Sequence, residues 1–120
     1  VTSDALADTA PFDLISLCDV LHDLPSPLDV LRGLRARLAP EGVLLVIEPR
    51  VSDRLEENIN PMATMFYGFS TFHCLTQSLA HGGAGLGACL GPTRTQALFS
   101  AAGYGSATLL DIKSPTNLFY

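Results

Sequence analysis

The stretch FDLISLCDVLHDLPSPLDVLRGLRARLAPEGVLLVIE, residues 12–48, decides the fold class of this chain. Phe12–Cys18 is a short apolar run, which predicts a buried strand. Pro25-Ser26-Pro27 predicts a turn, with a proline in the first position of a helix. Leucines then recur at helical spacing over residues 28–38, and Pro40-Glu41-Gly42 is expected to stop that helix. The continuous β-branched run 43–48 is typical of a strand covered on both faces in a parallel sheet.

A strand, a helix and a strand with short connections form a right-handed βαβ unit. We therefore predict an α/β fold with a Rossmann-like, doubly wound sheet. Downstream, residues 52–81 are interpreted as a loose helical insertion with helices near 60–69 and 76–80. Gly91-Pro92-Thr93 starts another helix that ends at Gly103. A strand is predicted over 107–112, and residues 117–120 begin a last, antiparallel strand.

Composition excludes some function classes. A net charge of −5 with scattered basic residues leaves no electrostatic footprint for nucleic acid. Three cysteines without CxxC spacing indicate neither a disulfide framework nor a zinc knuckle, and favour reduced thiols in a cytoplasm. The sequence contains no run long enough to span a bilayer and does not start like a signal peptide, so a soluble, cytoplasmic protein is expected. The start lacks Met, which is compatible with truncation of a longer chain.

Several short motifs, in order, resemble class I S-adenosylmethionine-dependent methyltransferases, specifically the small-molecule O-methyltransferases. They are similar to the family's fourth and fifth strand regions and to the corner that introduces its sixth strand. The motifs are Phe12-Asp13-Leu14-Ile15, DVLHDL at 19–24, LAPEG at 38–42, Glu48-Pro49 and AAGY at 101–104.

The resemblance implies that residues 1–120 are the C-terminal half of a methyltransferase domain, carrying the strand block 4-5-7-6 with the last strand antiparallel. The family's glycine-rich loop and second-strand acid, which hold S-adenosylmethionine, have no counterpart here. The GxGxG string at 83–87 is interpreted as a flexible loop, because no strand precedes it. The other wall of the cofactor site is expected at Asp4-Ala5, which resembles the adenine-binding pair, and at Cys18 and Asp19 after strand 4. The alternatives are that Asp4 is a solvated acid and that Asp19 caps a turn.

His22-Asp23 lies on the loop after strand 4, where the family's similar Leu-His-Asp supplies a catalytic base. The resemblance implies that His22 takes the proton from an acceptor hydroxyl, a task that suits imidazole because its pKa lies near working pH. The alternative is that His22 only packs near the cofactor. Glu48, at the end of the next strand, is expected to orient His22, to contact substrate or to have a structural role.

Met62, Tyr67 and His73 in the helical insertion could line the acceptor pocket together with Phe69 and Cys74, although aromatic clusters more often belong to the core. No metal site is expected, because His22, His73 and Cys74 lack paired-ligand spacing.

Three classes of function are compatible with the sequence. The first is methyl transfer to a small-molecule acceptor, and the second is a non-catalytic fragment that associates. The third is another doubly wound enzyme, such as a nicotinamide-dependent one, but the sequence lacks a dinucleotide fingerprint. The apolar composition and the uncovered neighbour of strand 4 predict a homo-oligomer, or pairing with an N-terminal half.

Overall fold

The computed structural model describes residues 11–120, so Asp4 and Ala5 lie outside the described part of the chain. Strands and helices alternate in its first half, as predicted. Strand β1 has the predicted bounds, but the prediction that it is buried is wrong: none of its residues is buried and Leu14 is 60% exposed, because β1 is the edge strand of the described sheet. The elements are β1 Phe12–Cys18, α1 Pro27–Arg35, β2 Leu38–Pro49, α2 Pro61–Phe69, α3 Leu75–Ala80, α4 Pro92–Ala101 and β3 Asn117–Phe119, with short 3-10 helices at Leu21–Asp23 and Leu55–Asn58.

Among the described residues, three strands form one sheet in the order β1-β2-β3. β1 pairs with β2 in parallel, up to the partners Cys18 and Ile47. β3 pairs with β2 antiparallel, and Ile47 lies opposite Phe119. The mixed α/β architecture and the antiparallel last strand are confirmed. The assignment of these strands to a 4-5-7-6 block stays a prediction.

The predicted strand over 107–112 is wrong. Leu110 N–H donates to the Phe119 carbonyl at 2.8 Å, but Ile112 N–H bonds back to the Leu110 carbonyl, also at 2.8 Å. This local turn ends the pairing with β3 after one hydrogen bond. A paired strand has to direct successive backbone groups at its neighbour.

Pro40-Glu41-Gly42 does not stop a helix, because α1 has already ended at Arg35 and the triplet lies inside β2. The pairing register shifts between Phe12 and Leu14, which gives β2 extra residues against β1. Proline is tolerated at such an irregularity because one ladder donor is not needed there. A side chain at Gly42 would lie 2.6 Å from the Phe12 carbonyl oxygen, so the close approach of the strands requires glycine.

The insertion is more regular than predicted. Asn60 caps α2 by accepting a hydrogen bond from Ala63 N–H at 2.9 Å. A π-helical turn, Ser70–Cys74, then joins α2 to α3, so the helical path continues from Pro61 to Ala80. The helices near 60–69 and 76–80 are confirmed, but the loose connection between them is not. Residues 83–87 form neither helix nor strand, as expected for a loop.

The core lies where α1 and α4 meet the sheet. Leu31 of α1 and Val46 of β2 are completely buried or nearly so, and Phe99 of α4 contacts Tyr120 edge to face. Leu21, directly before the candidate site, is also fully buried. The residues that carry the site are therefore anchored to the most tightly packed part of the molecule.

Candidate active site

Polar side chains meet where β1 and β2 reach their carboxyl ends. Asp19 follows β1, and its N–H donates to the Ile47 carbonyl at 2.8 Å. The 3-10 turn Leu21–Asp23 comes next, and Glu48 is the second-last residue of β2. Because parallel strands place their carboxyl ends at one edge of a sheet, residues far apart in sequence converge here, which is where open α/β sheets bind ligands.

His22 and Glu48 form a buried pair at this edge. The Nδ1 atom of His22 lies 2.5 Å from Oε2 of Glu48, and the two residues are only 4% and 2% exposed. The other oxygen of Glu48, Oε1, accepts a hydrogen bond from Leu21 N–H at 3.0 Å. An ionised carboxylate only accepts hydrogen bonds, so Nδ1 is the donor. The neutral imidazole then carries its lone pair on Nε2.

The Nε2 atom of His22 faces Asp23, whose Oδ1 lies 3.5 Å away. Burial of the ring, the largest single effect, lowers the pKa of His22. The hydrogen bond and charge of Glu48, with the charges of Asp23 and Asp19, outweigh it and raise the pKa above its ordinary value. The ring is therefore held in one orientation, in surroundings that stabilise the imidazolium.

Asp19 has a left-handed backbone with φ of 50°, which aspartate tolerates better than most residues. Its carboxylate accepts hydrogen bonds from Nδ2 of Asn117 at 3.1 and 3.3 Å. Asn117 begins β3, so this contact ties the end of β1 to β3 across the central strand. Asn117 was missed in the sequence, because no local pattern links residues this far apart. Cys18, directly before Asp19, is exposed.

Cys74, which the sequence suggested only as a possible lining residue of the acceptor pocket, also lies beside His22 and Asp23. It ends the π-helical turn, is buried, and has its Sγ within 4.8 Å of ligand atoms of both His22 and Asp23. Burial, followed by the hydrogen bond and charge of Asp23, raises the pKa of the Cys74 thiol to about 11. His73, its neighbour in the chain, is exposed instead.

Met62 and Tyr67 belong to a neighbouring region around Asn58. Tyr67 accepts a hydrogen bond from Asn58 Nδ2 at 3.1 Å, and Met62 lines a cleft that also includes Arg50 and Asn58. The structure therefore gathers His22, Asp23, Asp19 and Glu48 at one edge. Met62 lines a separate cleft, and Tyr67 bonds to Asn58 of that cleft. No helix among residues 11–120 is long and apolar enough to cross a membrane.

A parallel strand pair with acidic and histidine side chains at its carboxyl edge is typical of α/β enzymes that bind a small-molecule cofactor. Residues 2–80 match the family profile described as a methyltransferase domain. The chain belongs to this family, the class I S-adenosylmethionine-dependent methyltransferases. S-adenosylmethionine is the cofactor of that class. No curated protein matches the chain.

Solved structures support the fold. One is a protein from Nostoc punctiforme PCC 73102 assigned to the O-methyltransferases, with a TM-score of 0.61 and 22% identity over 93% of this chain. Another is PigF with SAH, with a TM-score of 0.63 and 21% identity over 97% of this chain. In each case the chain spans only 32% of the length of the solved protein. The similarity therefore describes one part of a larger architecture.

Proposed function

We propose that this chain takes part in S-adenosylmethionine-dependent methyl transfer to the hydroxyl of a small molecule, with His22 as general base. The observation that carries the proposal is the hydrogen bond between Nδ1 of His22 and Glu48. It leaves Nε2 as the nitrogen that can take a proton. A general base has to be correctly oriented before its pKa matters. Here the buried Glu48 orients the buried ring of His22.

The chemistry of the edge fits the cofactor. When bound, S-adenosylmethionine supplies a methyl group on a positively charged sulfur. Asp19, Asp23 and Glu48 give this edge an excess of negative charge, which favours a cationic ligand. In this proposal Asp19, with Cys18 beside it, contributes to cofactor binding, and Asp4 and Ala5 contribute as the family resemblance implies.

Each side chain then has a defined task. Nε2 of His22 would accept the proton of the acceptor hydroxyl as that oxygen takes the methyl group, whose bond to the cofactor sulfur breaks. The charge that appears on the ring is stabilised by Glu48 through Nδ1–H and by Asp23 near Nε2. Glu48 is a positioning residue that holds the ring of His22 through Nδ1. The remaining task is alignment of the hydroxyl with the methyl group, which by itself contributes much of the rate.

The acceptor is proposed to lie against the helical insertion. Met62 and Tyr67 line or adjoin the cleft near Asn58. His73 is exposed and is proposed to contact the acceptor from the π-helical turn. A hydroxyl acceptor agrees with the family resemblance and with the need for a base, since an alcohol has to lose its proton.

His22→Ala tests this proposal in the enzyme that carries both halves of the cofactor site. Saturated turnover should fall roughly a hundredfold or more, because general-base catalysis contributes about 10² to 10⁴. S-adenosylmethionine affinity should be nearly unchanged. His81→Ala, which removes an exposed histidine after α3, serves as the matched control. Near-normal turnover combined with weakened cofactor binding would show that His22 packs against the cofactor and is not the base.

One observation favours a second candidate, a methyltransferase-like module that associates through its surface. Large apolar side chains in the helical insertion are strongly exposed, with Ile59 at 84% and Phe72 at 85%. Leu14 on β1 is also 60% exposed. Where such side chains form one contiguous patch, the patch typically marks an interaction site. Light scattering at high protein concentration should report a dimer or larger species, and a stable monomer would contradict this candidate.

A further inference from the structure

His22, Asp23 and Cys74 bring three different ligand types to one point. A ring nitrogen of His22, a carboxylate oxygen of Asp23 and the Sγ atom of Cys74 all lie within 4.8 Å of one another, and Nε2 is the nitrogen of His22 that faces Asp23. His22 and Cys74 are buried, whereas Asp23 is exposed at the opening. We propose that these three side chains form a binding site for a thiophilic divalent cation such as Zn²⁺.

The spacing agrees with tetrahedral coordination. Zinc binds nitrogen and oxygen at about 2.0–2.2 Å and sulfur at about 2.3 Å, which places neighbouring tetrahedral ligands roughly 3.5 Å apart. Nε2 of His22 and Oδ1 of Asp23 are already 3.5 Å apart. Cys74 needs only a small side-chain adjustment to complete three corners. The exposed side of Asp23 leaves the fourth corner for water or another ligand.

The hydrogen bonding around His22 supports a cation at Nε2. Since Nδ1 donates to Glu48, the neutral ring directs a lone pair toward the Asp23 oxygen. Two acceptor atoms that face each other repel unless a positive charge lies between them, and either a proton on Nε2 or a bound cation supplies that charge. A histidine whose second nitrogen donates to a carboxylate is also the usual arrangement of a metal-bound histidine. Glu48 would orient the ligand without contacting the ion.

The chemical types of the three ligands favour zinc over magnesium or calcium. Imidazole and thiolate bind borderline and soft cations, whereas Mg²⁺ and Ca²⁺ prefer oxygen ligands throughout. Cys74 reaches the cluster because the π-helical turn Ser70–Cys74 changes the helical phase between α2 and α3. Such turns within helices are frequently found at functional sites.

A metal ion at Nε2 would occupy the lone pair that a general base needs. We therefore expect Zn²⁺ to inhibit methyl transfer, and this consequence alone depends on the proposed function. Binding of the ion is independent of activity and can be measured without it.

Cobalt provides the probe, since Co²⁺ bound to a thiolate gives a charge-transfer absorption in the near ultraviolet. We expect this absorption when the full chain is titrated with Co²⁺, with displacement by Zn²⁺. Cys74→Ser should abolish it, whereas Cys18→Ser and Cys89→Ser should retain it. Asp23→Asn should keep the absorption but weaken binding roughly tenfold or more, because it removes one charged ligand.

Circular dichroism of each variant establishes that it is folded. If Cys74→Ser does not fold, His22→Gln provides the second variant, and it should lower cobalt affinity by a similar factor or more. Absence of the thiolate absorption in the parent chain would overturn the proposal. So would its persistence in Cys74→Ser or its loss in Cys89→Ser. These outcomes leave the role of His22 as base untouched, and the turnover of His22→Ala leaves the cobalt result untouched.

Discussion

Glu48→Gln is the most informative single change, because it keeps the shape of the side chain and removes its charge. The Glu48 carboxylate accepts hydrogen bonds from Leu21 N–H and from His22 Nδ1. A glutamine can keep the first through its oxygen, but its amide nitrogen then faces Nδ1 as a donor. The neutral ring has to carry its proton on Nε2 instead, which removes the lone pair required of a base.

The magnitude follows from the bonds that are lost. A hydrogen bond to a charged group contributes about 1.5–3 kcal/mol, so Glu48→Gln should lower the free energy of unfolding by roughly that amount where His22 is charged. Glu48→Ala also leaves Leu21 N–H without its partner, which costs about 1–3 kcal/mol more. If His22 is the base, turnover of the complete enzyme should fall by roughly 10² to 10⁴ in Glu48→Gln.

The stability difference should depend on pH. The folded-state pKa of His22 is raised, so the stability that comes from its charge is fully present below the unfolded pKa of about 6.5. It is lost as pH rises through the higher folded pKa. In Glu48→Gln the hydrogen bond and charge that raise the pKa of His22 are lost, whereas the burial that lowers this pKa remains. The gap between parent and variant should therefore be largest on the acid side of this window and shrink toward alkaline pH.

Urea unfolding across this pH range, with a chelator present, measures the gap, and the NMR titration of the His22 ring reports its pKa directly. Glu41→Gln, at an exposed position in β2, is the matched control. A constant gap at every pH, together with an unchanged His22 titration, would refute the reasoning that Glu48 stabilises the imidazolium.

Three further outcomes are expected. Gly42→Ala should lower the unfolding free energy by about 1–3 kcal/mol, because a Cβ would collide with backbone atoms of β1 and β2. The control Gly33→Ala, in open space on α1, should raise it by about 0.5–1 kcal/mol; equal effects in urea unfolding would contradict this. Asp53→Ala should lower the unfolding free energy by about 1 kcal/mol, because Asp53 accepts hydrogen bonds from Thr93 N–H and Oγ1 at the start of α4. An unchanged unfolding free energy would show that these hydrogen bonds do not stabilise the helix. Calorimetry on the 120-residue chain should show that S-adenosylmethionine binds with a dissociation constant above about 1 μM, which corresponds to a binding free energy of about −8 kcal/mol. Tighter binding would contradict this prediction.

Local sequence pattern was sufficient for most of the elements. The bounds of β1, the start of α4 at Pro92 and the antiparallel last strand follow from apolar runs, prolines and glycines that act within a few residues. The errors at 40–42 and 107–112 have a common cause. Whether a segment joins a sheet depends on its neighbour, and Gly42 is enclosed by Phe12 while residues 107–112 fold back on themselves.

The candidate site also has features that the sequence predicted and features that only the tertiary structure decided. His22, Asp23, Asp19 and Glu48 could be named from the sequence because they follow strand ends, and strand ends are recognisable from hydrophobic pattern alone. That Glu48 hydrogen-bonds to His22, that Asn117 holds Asp19 and that Cys74 reaches His22 were decided by the tertiary structure. These contacts join residues 26, 98 and more than 50 positions apart. Periodicity describes which face of an element is buried, but only strand pairing and helix packing determine which buried polar groups meet.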